Sequence, residues 1–271
     1  MTIRPLARRR RALAAALAAV LAAVLALAAC SRPNEDLTAG ESGRVSAAED
    51  GDTLILDDGL RIHLAEVDGP RRDWPRAADA QAALEKLAVG RRATLRYGGA
   101  RRLEDGSAVA HVFIETEGGR TLWVQEELVR DGWARVHSRK DNRARVAQLL
   151  EIESKARAAR RGLWSEPFYA VEPADAVGEV DRFAIVEGRV QSAEARGDRT
   201  FLNFGADFRS DFTVAIGSQD LTAFIGAKAP DALVGSTVRV RGYMRESGGP
   251  LMRIDHAEQI EIVPAGDVSR Q

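Results

Sequence analysis

Glu49-Asp50-Gly51-Asp52-Thr53-Leu54-Ile55-Leu56-Asp57-Asp58-Gly59-Leu60-Arg61-Ile62-His63-Leu64-Ala65-Glu66-Val67-Asp68-Gly69-Pro70 is the stretch from which the rest of the chain is read. Two apolar alternations, 53–56 and 60–64, flank Asp57-Asp58-Gly59, the pattern of a β-hairpin closed by a short turn. Asp50, Asp52 and Asp68 then fall at the ends of adjacent strands. Carboxylates so placed can hold a hard divalent cation through oxygen, and such a cation can polarise a phosphodiester and orient a water. Aspartates are also the ordinary residues of turns and caps. Spacing alone favours that plainer role.

Working outward, a strand is expected to begin at Arg44–Val45, with a helix over 77–89 near Pro75 and strands over 93–97 and 108–114. A short helix over 122–130 stops near Gly132, and Asp141 is placed to cap a long helix over 142–161 that Gly162 ends. The order suits a small barrel with helices packed on it. Residues 31–42 read as a flexible tether and 169–180, with three acids and a proline, as a linker. Residues 181–264 look almost wholly β, with strands expected at 183–191, 199–204, 211–216, 236–243 and 251–262. Five strands with a helical or loop segment over 220–233 resemble an OB-fold barrel. The expected fold is therefore mainly β with helices, in two domains at 43–168 and 181–264 with a short tail at 265–271.

The N-terminus reads as a signal. Arg4 and Arg8–Arg11 precede an Ala/Leu/Val run over 12–29 that ends in Leu27-Ala28-Ala29-Cys30. Small residues before a cleavage point mark a signal peptide over 1–29. The tetrapeptide resembles the bacterial lipoprotein box, which implies lipidation of Cys30, the chain's one cysteine. The body is then expected outside the cytoplasm, in the periplasm or at the cell exterior. It would be tethered to a membrane, with outer-membrane sorting favoured by Ser31 in place of Asp. Removing 1–29 leaves 34 basic and 40 acidic side chains, a formal charge of −6. A nucleic-acid binder usually carries a basic footprint, and none shows overall. A charged content of 29% excludes a polytopic membrane protein, and 45% hydrophobic residues exclude a disordered one. One cysteine excludes a disulfide scaffold and cysteine-based metal sites.

The Asp50-Gly-Asp-Thr53 and Leu64-Ala-Glu-Val-Asp-Gly-Pro70 blocks resemble the staphylococcal nuclease (thermonuclease) family. So do Glu127-Leu-Val-Arg130-Asp-Gly132-Trp-Ala-Arg-Val136, Glu153-Ser-Lys-Ala-Arg157 and Gly162-Leu-Trp164, in the family's order across about 43–166. The resemblance implies an OB-type barrel with three helices. It also implies a calcium site at Asp52, Asp68 and the backbone carbonyl of Gly69. The family's general base and two phosphate-binding arginines fall, by position, on Arg71, His63 and Ser107. None of these residues keeps the family's chemistry. A general base is worth about 10²–10⁴-fold and an arginine on a transferring phosphoryl group about 10³–10⁵-fold. Arg61, Arg101 or Arg102 could replace the arginines, and Glu66 or Asp73 the base, or each could be surface charge.

In the second domain Phe201, Phe204, Phe208 and Phe212 cluster beside Arg199 and Arg209. OB barrels bind single strands by stacking bases on surface aromatics next to cations, although most of these rings are expected to fill the barrel. His63, His111, His137 and His256 are never at metal-pair spacing, and those in strands are expected to be structural.

The expected function is a catalytically degenerate, membrane-anchored binding module. Its partners are the membrane, through the lipid anchor, and a single-stranded nucleic acid, another anionic polymer or an envelope protein. Calcium is a candidate cation and no cofactor is required. The competing readings are a calcium-dependent nuclease with a rebuilt site and a structural envelope protein.

Overall fold

In a computed structural model of the chain, residues 37–178, 180–207 and 209–264 are described. Cys30, the signal segment and Phe208 lie outside them. Among the described residues, no helix is long and apolar enough to cross a membrane.

The first barrel is formed by β1 (Thr38–Ala48), β2 (Thr53–Leu56), β3 (Arg61–Leu64), β5 (Arg92–Tyr97) and β6 (Ala108–Glu115). Two residue pairs, β4 (Val67–Asp68) and β8 (Arg135–Val136), form a separate ladder, and β7 (Thr121–Trp123) extends the sheet beyond β6. The bonded order is β3-β2-β1-β5-β6-β7, and parallel pairing of β3 with β6 closes five strands into a ring. Alternation explains the closure. Leu54 faces Ile62 across the β2–β3 hairpin, both fully buried, so the apolar face of each strand points inward. Gly59 takes the left-handed turn conformation at φ +87°.

Residues 38–42 belong to β1 rather than to a tether. Their polar sequence carries no apolar alternation. Tertiary partners hold them instead, as where Tyr97 Oη donates to Glu41 Oε2 at 2.6 Å.

Three helices pack on this barrel: α1 (Ala77–Ala88), α2 (Val124–Asp131) and α3 (Val146–Ala158). Leu122 and Trp123, expected in a helix, end β7 instead. The expected helix over 142–161 is shorter at both ends. Asp141 does not cap it. Both carboxylate oxygens of the buried Glu66, from the loop after β3, accept the Arg145 N–H at 3.0 and 3.1 Å. Past the helix end, the backbone at Gly162 lies against Gly132. A Cβ on Gly132 would meet Arg161 O at 2.3 Å, and one on Gly162 would meet Gly132 O at 2.5 Å. That contact lets the Leu163 N–H reach Gly132 O at 2.8 Å.

The second sheet contains β9 (Glu172–Pro173), β10 (Phe183–Arg189), β11 (Ser192–Arg196), β12 (Arg199–Asn203), β13 (Thr213–Gly217), β14 (Thr237–Glu246), β15 (Pro250–Ile254) and β16 (Ile260–Ile262). Its order is β11-β12-β13-β15-β14-β10-β9, with β16 on β14 and a short helix α4 (Pro230–Leu233) between β13 and β14. It curls into an OB-like half-barrel around Val186, Leu202, Val214, Ile216, Val240 and Met252. Strand β11 gave a weak sequence signal because Ser-Ala-Glu-Ala-Arg offers only alanines at its apolar positions, with no β-branched or aromatic residue. The strand expected over 251–262 is broken in two by a 3-10 turn at Ala257–Gln259. Within the segment read as a linker, Tyr169 is buried and Glu172–Pro173 pairs with β10.

Both barrels fall within one compact unit of the chain. Ala156 and Trp164 of the first barrel share an apolar cluster with Phe183 and Ile185 of the second.

Candidate functional site

The strand ends bring Asp50, Asp52 and Asp68 together, and two glycines allow it. A Cβ on Gly69 would meet the carbonyl carbon of Gly51 at 2.8 Å. Because neither position carries one, the Gly69 N–H reaches Asp52 Oδ2 at 2.6 Å. Thr53 Oγ1 donates to Asp52 Oδ1 at 3.2 Å, and Asp50 Oδ1 accepts the Asp52 N–H at 3.0 Å. Burial, then the neighbouring charges of Asp50 and Asp68, push the Asp52 carboxyl up to about 7.

Asp68 is buried at 8% exposure and meets two donors of its own. Arg135 Nη2, from β8, lies 2.9 Å from its Oδ2, and Tyr243 Oη, from β14 of the second barrel, lies 3.4 Å from its Oδ1. The Arg135 guanidinium is itself enclosed. Its Nη1 donates to Phe183 O at 3.2 Å, and its Cζ stands 4.7 Å from the Phe183 ring and 5.1 Å from the Tyr169 ring.

All four carboxylate oxygens of Asp52 and Asp68 thus face protein donors. Calcium takes six to eight oxygen ligands. Among the described residues, no group of three His, Cys, Asp or Glu side chains is disposed to hold a metal ion. As arranged, the site does not fit calcium, because a cation would have to displace Arg135 and the Gly69 N–H.

The three positions of the family's chemistry are also accounted for. His63 sits on β3, its Nδ1 3.3 Å from Thr53 Oγ1. Ser107 is buried against Asp105, whose Oδ1 takes both its hydroxyl, at 2.5 Å, and its N–H, at 3.0 Å. The Asp105 carboxyl is held below the usual range, by Ser107 first, with His63 and Arg61 adding to it. Positions 63 and 107 are therefore neighbours, and Ser107 serves the turn that Asp105 holds. Arg71 is exposed and stands at the pocket's rim, within hydrogen-bonding reach of Tyr243. Its Cζ stacks 5.1 Å from the Trp74 ring and 5.9 Å from the Tyr243 ring. The cation inside the pocket is Arg135.

The alternates are placed elsewhere. Arg61 pairs with Glu49 at 2.9 Å, Arg102 pairs with Glu41, and Arg101 covers the Tyr97 ring at 5.1 Å. Glu66 is committed to Arg145 and lies 3.4 Å from Nε2 of the fully buried His111. Asp73 is exposed.

Sequence reasoning missed the contribution of the second barrel. Arg241 on β14 is buried and donates to Glu153 Oε1 and Oε2 of α3 at 3.2 and 2.8 Å, to Val136 O at 2.9 Å, and to Glu261. Burial pulls its pKa down, and Glu153 and Glu261 more than reverse that, so it is held as a cation. Ser138 Oγ lies 2.6 Å from His256 Nε2, and His256 Nδ1 lies 2.5 Å from Asp255 Oδ1, a polar tie between the barrels. Strand alternation around Arg239 and Arg241 was the available signal, since two charges on one strand face need partners there.

Beside this tie a cleft of about 890 Å³ opens between the barrels. One wall is the 137–141 segment that follows β8, and the other is the outer face of β12, β13 and β15. Arg199 lines both this cleft and an adjoining cavity of about 240 Å³ that also contains Phe201 and Asn203. Phe204 and Phe212 are buried in the barrel, whereas Phe201 is only half-buried on its outside.

A closed OB-type barrel with three helices and an aspartate pair at adjoining strand ends defines a nuclease-like scaffold. Residues 61–166 match the family model described as staphylococcal nuclease homologue, and they form a staphylococcal-nuclease-like domain. The match contains His63, Asp68, Arg71, Ser107 and Arg135 and begins after Asp52. A stretch of 119 residues is 32% identical to an uncharacterized 38.1 kDa protein of Capnoides sempervirens. That stretch covers 41% of this chain and 30% of the other, so the chain spans less than a third of the relative it matches.

Proposed function

We propose that the protein is a non-hydrolytic binding module, built on a nuclease-like barrel and tethered to a membrane through a lipid on Cys30. It would face the periplasm or the cell exterior, with the outer membrane favoured, and bind a nucleic acid, another anionic polymer or an envelope protein. The observation that carries this reading is the pairing of Asp68 with Arg135 rather than with a cation. It is supported by the loss of the family's base and both phosphate arginines at positions 71, 63 and 107. Each such loss is worth orders of magnitude in rate. For the anchor, the support is the Leu27-Ala-Ala-Cys30 pattern alone.

The test is hydrolysis of single-stranded DNA by the purified protein with calcium, against an Asp52→Ala/Asp68→Ala control. The expected result is no turnover above that control. Calcium-dependent cleavage that the control abolishes would overturn the reading in favour of a rebuilt nuclease. Metabolic labelling with a radioactive fatty acid, lost in Cys30→Ala, tests the anchor.

A further inference from the structure

We propose that the cleft between the two barrels is the seat of a single-stranded nucleic acid, a proposal that rests on the binding-module reading and gives it a ligand and a site. The floor is a strand face whose outward side chains are set by register. Phe201 on β12, in the cavity that adjoins the cleft at Arg199, is directly opposite Ala215 on β13, and Ala215 is opposite Arg253 on β15, both on the cleft wall. One step along, Arg199 is opposite Gly217. The middle strand therefore presents only small side chains between an aromatic and a cation on one side and a cation on the other. Adjacent strands lie about 4.8 Å apart, so this is a trough about two strand spacings wide.

The lining carries four cations, Arg139, Lys140, Arg199 and Arg253, and four carboxylates, Asp141, Asp198, Asp220 and Asp255, and what favours an anion is where the cations stand. The carboxylates that line the cleft are largely spoken for: Asp220 by Lys140, Asp255 by His256, Asp141 by Arg139 at 3.3 Å. Asp198 stands on the rim with its side chain 82% exposed, 3.9 Å from Arg199. Arg253 is exposed and makes no ion pair among the described residues. Arg253, and Arg199 with only the exposed Asp198 beside it, are thus the cations facing into the trough.

A phosphate backbone supplies the matching charges, and a base supplies the face that Phe201 would stack. Stacking requires an unpaired base, because a duplex keeps its bases inside. The volume of about 890 Å³ lies within the range of ligand sites, about 300–1,000 Å³.

The experiment is fluorescence anisotropy of a labelled oligothymidylate with the full chain in detergent, as a function of salt. Three variants are compared with the parent: Arg199→Ala/Arg253→Ala, Phe201→Ala and, as a control outside the cleft, Arg120→Ala. The expected result is that the double variant flattens the slope of log K against log salt by about 1.4, two contacts at about 0.7 each for single strands. Phe201→Ala is expected to weaken binding about 5-fold or more, and Arg120→Ala to change nothing. Thermal unfolding of each variant checks that the half-buried or exposed side chains were removed without loss of fold.

Oligonucleotide binding that ignores the cleft variants would overturn the site and leave the binding-module reading intact. Binding of heparin or anionic vesicles in place of the oligonucleotide would overturn the ligand class. Hydrolysis of the oligonucleotide would instead overturn the non-hydrolytic reading, whatever the variants did to binding.

Discussion

Arg135 Nη2 lies 2.9 Å from Asp68 Oδ2, with both side chains nearly out of contact with solvent. The aspartate at the heart of a nuclease-like scaffold is therefore neutralised from within its own barrel. The second barrel seals the pair, with Phe183 and Tyr243 lying over it.

Breaking a buried ion pair from one side leaves an uncompensated charge and costs about 3–5 kcal/mol. Arg135→Met is expected to lose stability of that order in urea denaturation. Asp68→Asn added to it should recover a large part. A double-mutant cycle with no coupling energy would show that the two groups do not depend on each other.

The barrels should unfold together. Glu153 has no solvent access and depends on Arg241 from the second barrel, and Trp164 packs with Phe183. Truncation after residue 168 is expected to leave a first barrel that does not fold stably, and Arg241→Met to cost about 3–5 kcal/mol. Two separated transitions in calorimetry of the full chain would contradict this.

Asp52 gives a pH dependence whose sign is fixed by the direction of its shift. Its carboxyl rises from 3.8 to about 7 in the fold, burial being the main cause. Between those values the native state holds a proton that the unfolded chain has released, so stability from this group falls as pH rises. Asp52→Asn removes that loss and should gain relative to the parent on going from about pH 5 to about pH 8. Melting curves that shift in parallel at both pH values would show that the Asp52 proton is not linked to folding.

A ligand that binds only the folded state stabilises it by mass action, by about 2.7 kcal/mol at a hundred times its Kd, and so raises the melting temperature. Because Arg135 and the Gly69 N–H occupy the aspartate oxygens, millimolar calcium is expected to leave the melting temperature unchanged. Thermal unfolding with calcium against a chelator measures this, and a clear stabilisation would mean that the pocket opens for the ion.

Gly132 and Gly162 should tolerate no side chain. Both sit at positive φ, 78° and 52°, with backbone at 2.3 and 2.5 Å from where a Cβ would lie. Gly132→Ala is expected to cost roughly 1–3 kcal/mol, read from the denaturation midpoint.

Much of this was legible in the chain of residues. Alternation in 53–56 and 60–64 around Asp57-Asp58-Gly59 specified the hairpin, and the acids on either side specified which strand ends meet. Those signals are local, since a period of two and a turn glycine act over a few residues. The departures at His63, Arg71 and Ser107 were likewise readable one position at a time. Strand β11 and the start of β1 were not, because Ser-Ala-Glu-Ala-Arg has only alanines at its apolar positions and residues 38–42 carry no apolar alternation.

What the sequence determined by itself was a nuclease-like barrel followed by an OB-like one, and the identity of the residues, His63, Arg71 and Ser107, on which the family resemblance places its chemistry. What only the tertiary structure decided was which cation meets Asp68. Arg71, three residues on in sequence, stays exposed at the rim on Trp74 and Tyr243, while Arg135, 67 residues away, goes in. The reason is burial: a guanidinium can be desolvated only where a carboxylate, a carbonyl and aromatic faces converge on it. Phe183 and Tyr169 supply that surround from parts of the chain that no local pattern connects to Asp68.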